Sequence, residues 1–447
     1  MAPTARAPVR NLAVIGGGWA GCAAAVDLAR AGHRVTVFEA ARTLGGRARA
    51  VTVDGLELDN GQHILLGAYS ATLKMLKQVG IDRRSALLTL PLQMRYPAGA
   101  IDPGMDFVAP RLPAPLHLAV ALLRARGLSG ADKLALSRFS TSARWMDWRL
   151  HTDCSVAELL ERFDQTARLI RLMWRPLCLA ALNTPPERAS AQVFLAVLRD
   201  SLGAKRAASD MLLPKVDLTA LFPRAAAAFI ESRGGAVRPG AAVRQLAPAD
   251  GQGWLVDGEA FEGVVLATPP PAAVKLLAGL DLPALSEQLN AFGYEAITTC
   301  YLRYAADLRL PLPFYALVDD PGAGRHGQFV FDRGQLDQRC EGLLAVVVSA
   351  AADAAALDQD ALAAALAQQL AADLGMPALA APQWRQVITD KRATFACTPG
   401  LRRPSNASGL PGLVLAGDYT ACDYPATLES AVRSGVAAAA LLGGAKQ

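Results

Sequence analysis

The sequence predicts an α/β protein with a Rossmann-like nucleotide-binding domain. That domain is assembled from separated stretches of chain, and a mixed α+β domain is inserted between them. Three observations predict it. Residues 12–39 read as strand, glycine loop, helix and strand. A second apolar run, Val264-Val-Leu-Ala267, stops at Thr268-Pro269-Pro270. A third, Leu413-Val-Leu-Ala416, runs into Gly417-Asp418 near the far end of the chain.

Leu12 to Ile15 is a short apolar run suited to a buried parallel strand. Gly16, Gly18 and Gly21 follow as G-x-G-x-x-G. The first glycine makes the tight turn, the second admits a pyrophosphate, and the third lets helix and strand pack closely. The Ala-rich stretch Cys22 to Ala31 predicts a helix stopped by Gly32, whose N-terminus offers free N–H groups to a diphosphate. Glu39 ends the next strand about 20 residues on, where a carboxylate accepts hydrogen bonds from a ribose diol. The same carboxylate would repel a 2′-phosphate, which argues against NADP. With the loop Gly45-Gly46-Arg47 beside it, the unit points to FAD, and no second G-x-G-x-x-G supplies a nicotinamide site.

Composition limits the alternatives. The chain has 447 residues, 52% of them hydrophobic and 19% charged, enough for two domains with a large core. Its formal charge of +5 comes with arginines scattered along the chain, which does not support nucleic-acid binding but tolerates an anionic membrane surface. Seven cysteines, odd in number and without C-x-x-C, read as reduced cytosolic thiols, with no disulfide framework and no metal site. No apolar stretch is long enough to span a bilayer, and the N-terminus does not read as a signal peptide. These features predict a cytoplasmic protein, with peripheral contact at the inner membrane face as a further option. Leu112 to Arg126, apolar with basic residues at its end, reads first as an ordinary helix and second as an interfacial segment.

The remaining elements follow in order. Residues 66–214 read as mostly helical, with breaks at Pro91, Pro97, Pro103 and Pro176. From about 215 the α/β pattern returns with a helix over Leu218 to Arg233 and a strand around Ala242 to Leu246. Asp257-Gly258 reads as a hairpin turn after Trp254. Residues 286–399 mix strands and helices, including an Ala/Leu helix near 358–374, and a closing helix covers roughly Glu429 to Leu442. The predicted cofactor domain is therefore 1–65, 215–285 and 400–447, and the substrate domain is 66–214 and 286–399.

The chain resembles the flavin amine oxidase/phytoene desaturase superfamily, and within it the squalene-associated desaturases now called hydroxysqualene dehydroxylases. The superfamily marks are Gly16, Gly18, Gly21, Glu39, Gly45-Gly46-Arg47, Ala267-Thr268-Pro269 and Ala416-Gly417-Asp418. The narrower marks are Asp59-Asn-Gly-Gln-His63-Ile-Leu-Leu-Gly-Ala-Tyr69, Tyr294 to Thr299 with Tyr301 to Tyr304, and Lys391-Arg392-Ala-Thr394-Phe395. The resemblance implies non-covalent FAD in an amine-oxidase-type fold. Gly45, Gly46 and Arg47 would stand beside the pyrophosphate, a bidentate task suited to arginine. Gly417 and Asp418 would meet the ribityl or pyrophosphate region, and Val243 would touch adenine through its backbone. The closing helix would aim its N-terminus at the flavin.

The reaction so implied is reductive removal of the hydroxyl of hydroxysqualene to give squalene, a step of hopanoid and squalene biosynthesis. Hydride would pass from reduced flavin N5 to an allylic cation. The apolar isoprenoid substrate needs a dry tunnel, and other squalene-pathway enzymes are expected neighbours. The leaving hydroxyl needs a proton donor. His63, just past the Arg47 loop, is the first candidate, with Asp59 as its orienter or as a holder of backbone N–H groups. Tyr69, Tyr294, Tyr424 and Lys391 follow, while Trp145 and Trp174 read as packing. An oxidative carotenoid or polyprenoid desaturase and a non-catalytic flavin scaffold are the competing readings. Cys422 is the cysteine to check for covalent attachment.

Overall fold

The computed structural model describes residues 8–98 and 104–443, so the break expected at Pro103 lies outside the described residues. A five-stranded sheet gathers β1 (Asn11–Ile15), β2 (Arg34–Glu39), β3 (Ala236–Pro239), β4 (Gly263–Leu266) and β5 (Leu413–Leu415). Its spatial order is β3-β2-β1-β4-β5, and every pairing is parallel. Parallel strands covered on both faces need apolar side chains on both, which explains the unbroken apolar runs of β1 and β4. Helix α1 (Trp19–Arg30) and the closing helix α2 (Leu428–Gly443) pack together on one face. The alanines of α1 are fully buried there, small enough to let the two axes approach closely.

A second five-stranded sheet, entirely antiparallel, runs in the order Phe314–Ala316, Phe329–Asp332, Leu343–Ser349, Tyr294–Arg303, Trp384–Phe395. Side chains alternate across it. Cys300, Leu302 and Val346 face the helix Gln359–Leu374 and its Leu362, Leu366 and Leu370. Tyr301, Ala345 and Phe331 face the main core on the other side. The strand Tyr294–Arg303 therefore turns Thr299 and Tyr301 toward the nucleotide-binding half of the molecule. Helices between 116 and 201 complete the insert.

Four local expectations are corrected. The stretch 66–214 holds short strands among its helices: Leu87–Leu90 and Leu65–Leu66 pair with Met211–Pro214, and Gln93–Arg95 pairs with Asp106–Val108. Strands of two to four residues are too short to show a period of two. Pro176 does not break the chain: the helical run is continuous from 167 to 182, and a π turn over Ile170–Trp174 stands just ahead of the proline, where the regular hydrogen-bond ladder is already interrupted. The helix over 218–233 is interrupted at Phe222, ahead of Pro223, into Leu218–Leu221 and Pro223–Ser232. The strand expected at 242–246 forms instead at Leu246–Pro248, leaving Val243 on an extended loop. Asp257 accounts for that shift, since its carboxylate accepts from the N–H groups of Arg244 and Gln245 and holds them out of a ladder. Asp257 and Gly258 do form the hairpin turn, both at positive φ. Among the described residues no helix is long and apolar enough to cross a membrane.

Candidate active site

The glycine loop is built from approaches that no side chain could share. Gly16 has φ +109°, and a Cβ there would lie 2.6 Å from the carbonyl oxygen of Ala267. A Cβ on Gly21 would lie 1.9 Å from the oxygen of Gly16. The Gly45 loop is laid directly against this turn, its N–H donating to the Gly17 carbonyl at 2.9 Å. Glu39, at the end of β2, accepts from the N–H groups of Gly17 and Ala41, both at 2.7 Å. Two donors leave carboxylate lone pairs free for a further diol. The Ala241 N–H donates to the Glu39 carbonyl, which brings Val243 to the same rim. Among the described hydrogen bonds the Val243 N–H and C=O have no partner.

Arg47 and Asp418, 371 residues apart, meet in an ion pair of 2.6 Å. The other guanidinium nitrogen donates to the Ala393 carbonyl at 2.7 Å. Burial opposes the Arg47 charge, but Asp418, aided by Asp390 and Tyr294, outweighs it and raises the pKa. Asp418 is in turn fixed by Arg403, which sequence reasoning missed. The Arg403 guanidinium donates to the carbonyls of Asp418, Cys422 and Tyr424 and lies over the Phe395 ring. In the sequence it is one of two adjacent loop arginines, with nothing to separate it from its neighbour. Cys422 is held in the same cluster, its Sγ 3.1 Å from an Arg403 nitrogen.

The opposite wall begins at Asp59. Its carboxylate is buried, accepts from the Leu218 N–H at 2.8 Å and lies 3.8 Å from Arg333. Burial is the main influence and Arg333 opposes it, so the carboxyl is pushed up to about 6. Arg333, also unforeseen, donates to Gln62 at 3.0 Å and ties the Asp59–His63 turn to the antiparallel sheet. Tyr301 donates to the Asp59 carbonyl at 2.8 Å and adds a second tie. Asp59 thus holds a backbone N–H group and a cation, and it makes no hydrogen bond to His63.

His63 is half-buried, with Nδ1 2.7 Å from the Gly61 carbonyl. A carbonyl only accepts, so Nδ1 carries hydrogen and Nε2 is the nitrogen left for other partners. Burial lowers the His63 pKa below 6.5, and Arg47 adds to the lowering against the Gly61 bond. Tyr294 and Thr299 on the facing strand each bury a hydroxyl without a partner among the described residues, as do Thr268 and Tyr419. Thr299 lies against Gly61, 3.9 Å from where its Cβ would stand. Tyr294 is close enough to Arg47 and Asp418 to feel both charges. Buried hydroxyls without partners beside the Gly16 turn (Thr268), near Arg47 and Asp418 (Tyr294, Tyr419) and against Gly61 (Thr299) are the pattern left by a polar ligand that is itself part of the structure. The residues fit a dinucleotide.

The other candidates are placed elsewhere. Lys391 is exposed. Tyr424 donates to Asp200 and stacks under Arg433, while Tyr69 stands at the start of Ser70–Gln78. Glu429, in the first turn of α2, accepts from the N–H groups of Ala71 and Thr72 and binds that helix start to α2. Trp174 packs on Phe139 and Phe194 with its N–H on Gln165, and Trp145 is 86% exposed.

A flavin-dependent oxidoreductase is the class this fold and this site define. The chain belongs to the flavin containing amine oxidoreductase family, whose sequence profile matches residues 19–442. Within that class it is 32% identical to the hydroxysqualene dehydroxylase of Rhodopseudomonas palustris, over 97% of this chain and 98% of that protein. It is 29% identical to the hydroxysqualene dehydroxylase of Sinorhizobium fredii, over 97% and 98%. Among solved structures, an oxidoreductase from Methanosarcina mazei superposes with a TM-score of 0.71 over 96% of this chain and 99% of that one, at 15% identity.

Proposed function

We propose that the protein binds FAD non-covalently and reductively removes the hydroxyl of hydroxysqualene to give squalene. The observation that carries this reading is the near full-length likeness to hydroxysqualene dehydroxylases. Gly16, Gly18 and Gly21 would admit the pyrophosphate, Glu39 would take the ribose diol, and the Val243 backbone would take adenine. Gly45, Gly46 and Arg47 would flank the phosphates, with Gly417 and Asp418 at the ribityl side. Arg403 and the Tyr424 carbonyl occupy the Cys422 thiol, which supports a non-covalent cofactor. When bound and reduced, the flavin supplies the hydride that the substrate carbon needs.

The chain's own part is the departure of oxygen. As the allylic C–O bond breaks, its electron pair leaves with oxygen, and His63 Nε2–H gives that oxygen a proton, releasing water. A histidine with a lowered pKa is the stronger acid once protonated. The rate should therefore rise as pH falls toward and below 6.5, the ordinary histidine value. Phe292, Phe395 and Tyr419, packed ring on ring, help to keep the cation dry.

The test mixes flavin-reduced enzyme with hydroxysqualene without oxygen and follows the 450 nm band alongside the product. Return of the band with one squalene per flavin is expected. A band that stays bleached overturns the reading and favours the oxidative desaturase, which consumes oxidised flavin. His63→Ala should keep its flavin and lose about 10²–10⁴-fold in rate. An unchanged rate removes the histidine from the mechanism.

A further inference from the structure

Leu112 to Arg149 carry an unusual surface. Eight large hydrophobic side chains are exposed among the described residues, and Leu112, Leu116, Leu123, Leu134 and Trp145 are five of them. Leu116 is 55% exposed and Leu123 73%, one face of the helix Leu116–Arg124, while His117 and Ala121 on its other face are buried. Leu134 and Trp145 lie on one stripe of the next helix, Gly130–Trp145, at i and i+11. The two helices are joined by Lys133, whose ammonium donates to the Leu123 carbonyl at 2.9 Å.

The charge of the same segment is equally uneven. Residues 111–149 hold seven arginines and lysines against two aspartates, an excess equal to the formal +5 of the whole chain. One of those aspartates, Asp132, is buried in a capping box with Ser129. Arg111, Arg124, Arg126, Arg138 and Arg144 are exposed, and none has a carboxylate within salt-bridge distance among the described residues. The rest of the molecule sums to no net charge, so the segment carries the chain's whole net positive excess together with five of its eight exposed large hydrophobic side chains among the described residues.

We propose that residues 111–149 form a docking surface for an anionic lipid bilayer. Leucines and a tryptophan enter the acyl boundary while the arginines rest at the head groups. A hydrocarbon-rich protein partner would match the leucines but leave the arginines unpaired. An acidic protein partner would match the arginines but strand the leucines. An anionic bilayer satisfies both. The inference deepens the reading above, since a C30 substrate resides in lipid, and it rests on that reading for its purpose alone. Binding itself is measured without substrate.

The experiment floats purified flavin-loaded protein with vesicles of phosphatidylcholine, with and without phosphatidylglycerol, at low and high salt. Wild type should float with the anionic vesicles, weakly with neutral ones, and less as salt rises. Arg111→Gln/Arg124→Gln/Arg126→Gln should lose about a hundredfold in affinity, from roughly a fivefold loss per arginine. Leu116→Ser/Leu123→Ser/Trp145→Ser should lose at least about tenfold and keep its flavin, since all three side chains already face water. Wild type that stays with the soluble fraction, or variants that bind as wild type does, overturn the proposal. If instead the apolar variant turns a dimer into a monomer and wild type ignores vesicles, the face joins two copies and the bilayer assignment fails. Squalene formation with no vesicle binding would sink this inference and leave the reaction standing.

Discussion

The loop from Gly16 to Arg47 and the wall from Asp59 to His63 with the strand Tyr294–Arg303 flank one site, yet they are built by opposite means. The loop is backbone against backbone, held by glycines that leave no room for a Cβ and by N–H groups with assigned partners. The wall is made of side chains. It contains a buried carboxylate near a buried arginine, a histidine fixed by one carbonyl, and hydroxyls with no partner. A backbone cradle tolerates almost no change but says little about the substrate. A side-chain wall tolerates change and determines the chemistry. Substitutions in the two regions should therefore fail differently, one losing the cofactor and the other the reaction.

The largest effect is expected in the cradle. In Gly21→Val the first added carbon would overlap the Gly16 oxygen, where a Cβ already falls at 1.9 Å. Overpacking of this kind costs about 3 kcal/mol or more. The 450 nm to 280 nm absorbance ratio should fall below about a tenth of wild type, with a lower melting temperature. Full flavin content would show the turn to be softer than its contacts imply. Next is Arg47→Met, which leaves Asp418 without its cation. Because Arg47 is partly exposed, the loss should be about 1–2 kcal/mol, read as roughly five- to thirtyfold weaker flavin binding by fluorescence titration.

Asp59 sharpens the comparison through pH. Its folded-state pKa of about 6 exceeds the ordinary 3.8, so the folded chain holds this proton more tightly than the unfolded chain does. The stability it contributes is complete below 3.8 and is lost as pH rises from there through 6, in total roughly 3 kcal/mol. Asp59→Asn removes that titration and can still accept from Leu218. The wild-type melting temperature minus that of the variant should fall between pH 4 and 6 by a few degrees, within about the range given by size scaling. A flat difference would place Arg333 closer to full compensation than burial allows.

This contrast also explains what the sequence makes legible. The cradle is readable because each task needs one residue type at fixed spacing. Only glycine fits at 16 and 21, and only an acid suits position 39, so motif and geometry coincide. The wall depends on Arg333 reaching Gln62 and on Arg403 gripping three carbonyls, contacts between residues hundreds of positions or a loop apart. Neither arginine stands in a periodic or punctuated context. Val243 lies outside the strand that the sequence predicts at 242–246, because nothing in that stretch reveals that Asp257 holds the neighbouring N–H groups.

The smallest effect is also the most discriminating. Tyr294 and Thr299 each bury a hydroxyl that finds no partner among the described residues, and such a group costs the fold about 1–3 kcal/mol that a hydrogen bond would otherwise return. Replacing it with a shape-matched apolar group removes that cost. Tyr294→Phe and Thr299→Val should therefore each raise the melting temperature of the flavin-free protein, by about 1 kcal/mol in stability. If the hydroxyls serve the bound cofactor or the substrate's oxygen, the same variants should bind flavin or turn over severalfold less well. A gain in the apo form paired with a loss in the loaded form identifies hydroxyls kept for the reaction and not for the fold. A loss in both forms would return them to the scaffold, and the two walls would then differ less than their geometry suggests.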